Sequence, residues 1–177
     1  MPTHRIPLQK AWVVDDLEAA ARSWSAHLGV GPFFIAEYGD QTFDELLYRG
    51  QPGHLRMKTA ICYAGDEQIE LIQPLDKTPS AYRDTFPDGG GPGGGFHHLC
   101  FWSDDLDADL DHYTSLGHAV ANVGQVVKGP RFAYVDTRSE LGCMVELLET
   151  APAIMQLFSK WRETCAAWSG GDPLVTL

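Results

Sequence analysis

The sequence predicts an α+β protein made of two tandem βαβββ modules followed by a C-terminal helix, and three observations carry that prediction. First, IPLQKAWVVDDLEAAA, residues 6–21, and GGGFHHLCFWSDDLDADL, residues 93–110, share one pattern: Gln9 lies seven residues before Asp16-Leu17, and His98 lies seven before Asp105-Leu106. Laid over one another without a gap, Trp12 faces Phe101, Asp15 faces Asp104, Ala19 faces Ala108 and Trp24 faces Tyr113. Second, DGGGPGGG, residues 88–95, separates the two copies. Third, one apolar stripe at helical spacing follows the second copy. Two copies are too few for a solenoid, which needs three or more stacked units.

Taken in order, Lys10 to Val14 reads as a short strand. Asp16 then opens a helix whose apolar positions Leu17, Ala20, Ala21, Trp24 and Leu28 recur at helical spacing. Gly29, Gly31 and Pro32 stop it. Phe33–Tyr38, Phe43–Tyr48, His54–Tyr63 and Gln68–Gln73 read as strands between Gly, Pro or Asp turns, so the first module, residues 6–75, is βαβββ in kind. Residues 76–95 turn polar and then Gly-rich, and are expected to link the modules without regular structure. In the second module, residues 96–149, His97–Ser103 is a strand and Leu106–Leu116 a helix stopped by Gly117. Gln125–Lys128, Arg131–Asp136 and Met144–Leu148 are three further strands. For the helix of residues 150–170, Thr150 is the expected cap, Pro152 sits in the first turn, and Ile154, Leu157, Phe158, Trp161, Cys165 and Trp168 form the stripe. That helix is expected to pack on the domain or on a partner subunit and to carry no chemistry.

A chain of 177 residues with 44% hydrophobic content can bury a core, and one compact unit is expected. The net charge of −11, from 24 acidic against 13 basic residues, argues against a nucleic-acid surface, which needs a basic footprint, and suits solubility. No apolar run approaches the roughly 18 residues that cross a bilayer, so no membrane partner is expected. Cys62, Cys100, Cys143 and Cys165 show no C-x-x-C spacing, and no charged and apolar leader opens the chain. Reduced thiols and a cytoplasmic location are the expectation.

Two acids stand out because their neighbours are apolar: Glu70 between Ile69 and Leu71, and Glu146 between Val145 and Leu147. A carboxylate there must be paired, protonated or metal-bound, since burying it uncompensated is costly. Gln9 alone reads equally as a hydrogen-bonded strand residue, and His98 alone as a core histidine. His97, its neighbour, is expected on the opposite strand face with a structural role, because side chains alternate. Arg56 and Lys58 share one strand face, which suits either an anionic substrate group or a solvated surface. Tyr134 is a candidate hydrogen-bond partner for a substrate oxygen, or a core residue.

QIELIQPL at residues 68–75, GFHHLCFWSDDL at residues 95–106 and RFAYVDTRSELGCMVELLE at residues 131–149 together resemble the vicinal oxygen chelate superfamily, over about residues 6–149. The resemblance implies a curved, cup-shaped mixed sheet and a homodimer. It also implies one metal ligand from the first and last strand of each module, here Gln9, Glu70, His98 and Glu146. Such a nitrogen and oxygen set suits one divalent ion, Zn, Ni, Co, Mn or Mg, with two positions left for a small-molecule substrate. The donor order resembles zinc-type glyoxalase I, whereas ELIQPLDKTPSAYRDTFPDGGGPGGGFHHLCF looks like methylmalonyl-CoA epimerase. Ring-cleaving iron enzymes of the superfamily carry histidine where Gln9 stands. The strand HLRMKTAICY, residues 54–63, lacks the epimerases' further carboxylate base.

The implied activity is therefore metal-dependent proton transfer next to a carbonyl, as an isomerase, lyase or epimerase, with Glu146 as base and Glu70 second. An anionic or thioester substrate is among the classes left open. The alternatives are a non-catalytic small-molecule binding or resistance protein of the same fold, and a metal-dependent hydrolase or lactonase.

Overall fold

The computed structural model describes residues 5–91 and 93–177. The duplicated signature folds in duplicate. Asp16 accepts a hydrogen bond from the Ala19 amide at 3.0 Å and opens helix α1 (Leu17–Leu28); Asp105 does the same for Ala108 at 3.0 Å and opens α3 (Leu106–Ser115). Each aspartate satisfies an amide that has no partner within its helix, which is why the two Asp-Leu pairs mark the same structural position.

Among the described residues, eleven strands form one curved sheet. The first half supplies β1 (Gln9–Val13), β2 (Phe33–Tyr38), β5 (Met57–Ala64) and β6 (Glu67–Pro74), and the second supplies β7 (Gly95–Ser103), β8 (Ala119–Val126), β9 (Arg131–Asp136) and β10 (Met144–Glu149). Their order is β2-β5-β6-β1-β7-β10-β9-β8, so each half repeats the other outward from the antiparallel β1–β7 seam. β6 lies parallel to β1, and β10 parallel to β7. The first and last strands of both halves are thus the four central strands.

Several elements depart from the sequence expectation. Phe43–Tyr48 is a strand, β3, but it leaves the first half and pairs antiparallel with β8, Leu47 opposite Val123, with β4 (Gln51–Pro52) completing a hairpin at that edge. The strand expected over Gln125–Lys128 is the end of the longer β8: Lys128 has a positive φ of 56° and the Gly129 amide donates to the Val126 carbonyl at 2.7 Å, which makes a turn there.

The span expected to be an unstructured linker holds a short helix, α2 (Ala81–Thr85), with Ser80 at its cap. Arg83 ties α2 down by donating to the carbonyls of Pro74 and Asp76. The following glycines pack against β1: a Cβ on Gly90 would lie 1.8 Å from the Val13 carbonyl oxygen. Only glycine permits that approach.

The C-terminal helix is α5 (Pro152–Ala167), and its cap position is Ala151. Thr150 does not cap it, because the Thr150 amide donates to the Ser103 carbonyl at 2.8 Å and keeps this residue in the sheet. The stripe seats as expected on the first half: Phe158, Trp161 and Cys165 are buried, and Trp161 stacks on Phe34 with centroids 4.8 Å apart. A further short strand, β11 (Leu174–Thr176), returns to pair parallel with β2. All four cysteines are free and buried, and no helix among the described residues is long and apolar enough to cross a membrane.

Candidate metal centre

The central strands bring the four donors predicted from the sequence to one place. Gln9 on β1, Glu70 on β6, His98 on β7 and Glu146 on β10 are all buried. The sheet register explains the meeting: Ala11 stands between Glu70 and His98 on its two neighbours, and Cys100 stands between Gln9 and Glu146. His98 Nε2 lies 3.0 Å from a Glu146 carboxylate oxygen, 3.4 Å from Gln9 Oε1 and 3.7 Å from a Glu70 oxygen. One ligand atom from each of Glu70, His98 and Glu146 falls within 4.8 Å of the others.

His97 behaves differently from the expectation. On β7, His98 pairs with Ala11 but Phe96 pairs with Trp12, so His97 is an extra residue in a β-bulge. The bulge breaks the alternation that was to send His97 to the opposite face. Instead its Nδ1 sits 2.8 Å from His98 Nδ1, and both rings meet Tyr134 edge-on.

This contact fixes proton positions. His97 Nε2 lies 3.0 Å from the Ala81 carbonyl oxygen, which only accepts, so Nε2 carries the proton. Burial first, and His98 second, lower the His97 pKa to about 3 and keep it neutral. Its Nδ1 is then a lone pair that accepts from His98 Nδ1–H. The outcome is that His98 turns the lone pair of Nε2 toward Gln9, Glu70 and Glu146.

Gln9 is oriented in a similar way: its amide NH2 donates to Gln68 Oε1 at 2.7 Å, and Gln68 donates to the Tyr63 hydroxyl at 2.6 Å, which leaves Gln9 Oε1 facing the cluster. Gln68 and Tyr63 were not expected at the site. Nothing in their sequence context separates them from ordinary strand residues.

Four lone-pair-bearing groups therefore converge in a buried space. Burial, and then the nearby Glu146, push the Glu70 carboxyl well above its ordinary pKa. The arrangement calls for a proton or a cation among the four groups. The set contains imidazole, carboxylate and amide oxygen but no thiolate, and so fits a divalent ion of hard to borderline character. Cys100 lies behind Glu146, its thiol pushed up by burial.

The centre opens into a cavity of about 210 Å³ between β2, β5, β9 and α5. Tyr134 lines it, and its hydroxyl lies 2.9 Å from that of Tyr82. Burial raises both phenols, so both remain protonated hydrogen-bonding groups. Tyr82 comes from α2, within the span expected to be a linker. The signal that could have found it is Ser80, a cap residue placed just before it.

Arg56 and Lys58 are outside the cavity. Met57, Thr59 and Ile61 line it, so the residues alternating with them face outward, where Lys58 lies 3.9 Å from Glu37 and Arg56 borders a separate crevice. Alternation put Arg56 and Lys58 on one face correctly; it could not say which face the cavity takes. Helix α5, expected to be packing alone, supplies Ile154, Leu157, Phe158 and Trp161 to the cavity wall.

A profile of the glyoxalase/bleomycin resistance protein/dioxygenase superfamily matches residues 8–134. Among solved structures, methylmalonyl-CoA epimerase from Mycobacterium tuberculosis is similar with a TM-score of 0.55 and 22% identity, over 88% of this chain and 97% of that one. A variant of the Streptomyces coelicolor methylmalonyl-CoA epimerase in complex with 2-nitronate-propionyl-CoA is similar with a TM-score of 0.53 and 18% identity, over 84% and 99%. A methylmalonyl-CoA epimerase in complex with methylmalonyl-CoA and NH4+ gives 0.52 and 19%, over 85% and 97%. At these identities the likeness is one of fold. No curated protein sequence matches the chain.

Proposed function

The chain belongs to the glyoxalase/bleomycin resistance protein/dioxygenase superfamily, and on that premise we propose that it is a divalent-metal-dependent enzyme that moves a proton on the carbon beside a carbonyl of a small substrate. Isomerase, lyase and epimerase chemistry share that step. The observation that carries the reading is the convergence of Gln9 Oε1, His98 Nε2 and the Glu70 and Glu146 carboxylates in one buried space beside a cavity. A binding protein has no need of two buried carboxylates kept without a cationic side chain, whereas an active centre does.

Gln9, Glu70, His98 and Glu146 would hold the ion, of the Zn, Ni, Co, Mn or Mg class. When bound, the ion supplies Lewis-acid stabilisation for the negative charge that develops as the C–H proton leaves. The remaining work falls to the chain. Glu146 takes the proton at a carboxylate oxygen; it lies opposite Tyr134 in the sheet, so base and hydroxyl approach a substrate in the cavity from neighbouring strands. Tyr134 and Tyr82 hold a substrate oxygen through their paired hydroxyls. The apolar wall from α5 excludes water from the proton in transit.

Glu70 and Glu146 are the acids that line the cavity among the described residues, so the same carboxylate that removes a proton, or its partner at the centre, must return it. This favours proton transfer by the carboxylates of the centre over a mechanism using a further acid on the strand of residues 57–64. Glu146→Gln should retain stoichiometric metal and lose about 10²–10⁴-fold in the rate of solvent deuterium exchange at the substrate C–H. Full exchange with metal still bound would remove Glu146 as the base. Freshly purified protein without stoichiometric divalent metal, and indifferent to chelator, would overturn the enzyme reading.

A further inference from the structure

The cavity walls carry information about charge that the strands alone do not. All 13 lysines and arginines lie among the described residues, and none of them lines the cavity. Several cations on its surrounding elements are engaged elsewhere, while Arg56, Lys128 and Lys160, which form no ion pair among the described residues, also lie outside the lining. Lys58 turns to Glu37, Arg131 to Glu149 and Asp107, Arg49 and Arg138 to Asp84 and Asp136, and Arg83 to backbone carbonyls. Away from the centre, the wall is built from Phe43, Met57, Phe132, Leu157, Phe158 and Trp161.

Charge bookkeeping then constrains the ligand. The two carboxylates, Glu70 and Glu146, would balance one divalent ion, so a loaded centre would offer no net charge to a charged group on the substrate body. A carboxylate or phosphate on the body of the substrate would sit among phenyl and indole rings with no partner, in a chain whose net charge is already −11. Uncompensated burial of that kind is among the most costly events in a protein interior. The volume of about 210 Å³ admits a body of at least one aromatic ring. The wall is itself aromatic: Phe43 packs on Phe132 with centroids 5.9 Å apart and Phe158 on Trp161 at 5.6 Å, so the lining offers ring edges and faces to an apolar ligand.

We infer that the part of the substrate that enters the cavity is an uncharged, apolar body of at least one aromatic ring that carries two adjacent oxygens toward the centre. The inference rests on the metal-centre reading above, and deepens it by naming what the centre acts on. The outward placement of Arg56 and Lys58 removes the residues that suggested an anionic group.

The test compares two compounds with the same hydroxyketone head and opposite charge states at the far end. Binding of 4-(hydroxyacetyl)benzamide and of 4-(hydroxyacetyl)benzoate to the Co2+-loaded full chain is measured by calorimetry, with the smaller 2-hydroxyacetophenone as a reference. The amide is expected to bind at least about tenfold tighter than the benzoate, equivalent to at least about 1.4 kcal/mol. Leu157→Lys places a cation at a lining position that is 38% exposed and tolerant of a charge, and should close that gap by improving the benzoate.

If the benzoate binds the unaltered protein as well as the amide while Co2+ binds one equivalent, the substrate class is wrong and the metal centre stands. If the amide binds equally well after chelator treatment and Co2+ binds nowhere, the metal centre is wrong and the substrate class stands. Loaded protein that binds none of the three compounds also overturns the class.

Discussion

Replacing His97 by Phe tests how the centre is assembled. Phenylalanine keeps a ring in contact with Tyr82 and Phe86, whose centroids lie 5.0 Å and 6.4 Å from that of His97, but removes the acceptor 2.8 Å from His98 Nδ1. His97 and His98 are both fully buried, so no water stands ready to replace it. To present a lone pair to an ion, His98 must then keep an unpartnered proton on Nδ1, at a cost of about 1–3 kcal/mol. Without the ion it escapes that cost by moving the proton to Nε2, where Glu146 accepts at 3.0 Å.

The penalty therefore falls on the metal-bound state alone, and at 1.4 kcal/mol per decade it weakens the ion by about 5- to 150-fold. That range matches the 10–100-fold typical of losing an outer partner of a ligating histidine. The assay is calorimetric titration of chelator-stripped protein with Co2+, alongside 15N spectra of the Zn2+ form, which should place the His98 proton on Nδ1. His97→Gln, whose amide can donate to Ala81 and accept from His98, should recover most of the affinity. Unchanged affinity in a folded His97→Phe protein, or a His98 proton found on Nε2 in the Zn2+ form, would refute the argument.

Further tests address charge, packing and the linking segment. Because burial and Glu146 raise the Glu70 pKa above its ordinary 4.5, the folded, metal-free chain holds a proton there that the unfolded chain releases; Glu70's contribution to stability is fully present below about pH 4.5 and is lost as pH rises, while the buried neutral His97 acts in the opposite sense between about 3 and 6.5, so the Glu70 share is read as the difference between the unaltered chain and Glu70→Gln. Thermal unfolding of both proteins in chelator between pH 4 and 8 checks this: the stability of the unaltered chain relative to Glu70→Gln should fall as pH rises, and a difference that stays constant or grows would contradict it. Trp161→Ala removes a buried ring stacked on Phe34 and should cost about 3–5 kcal/mol, lowering Tm by roughly 10 °C. Gly90→Ala drives a methyl into the Val13 carbonyl and should destabilise by well over 1 kcal/mol, whereas Gly93→Ala, with open space around it, should stay within about 0.5 kcal/mol; equal denaturant midpoints for the two variants would show that the segment does not pack on β1.

The fold and the four central donors were legible because duplication writes a position twice. Gln9 and His98 occupy one place in two copies of a strand and helix signature, and Glu70 and Glu146 interrupt apolar strands that have no other use for an acid. What was not legible depended on neighbours far along the chain. Strict alternation placed His97 on the wrong face because a bulge is decided by the register of β7 against β1, not by β7 alone. Arg56 and Lys58 were assigned to one face correctly, but only the curvature of the sheet says that Met57, Thr59 and Ile61 look inward. Tyr82 was hidden because five residues of helix inside a polar, Gly-rich span give too short a periodic signal. The stripe of α5 was read correctly as apolar, yet one apolar face serves packing and a cavity wall alike, as Phe158 and Trp161 do here.

The β1–β7 seam makes the centre a joint. Gln9 and Glu70 come from one half of the chain, His98 and Glu146 from the other, so neither half owns a complete set of donors. An ion held by all four is a fastener between halves, and by mass action it adds about 2.7 kcal/mol to the folded chain when present at 100 times its Kd. A chain severed within residues 88–95 should consequently reassemble from its two pieces more tightly with metal than without, with β3 clasped along β8 as the second, metal-independent fastening.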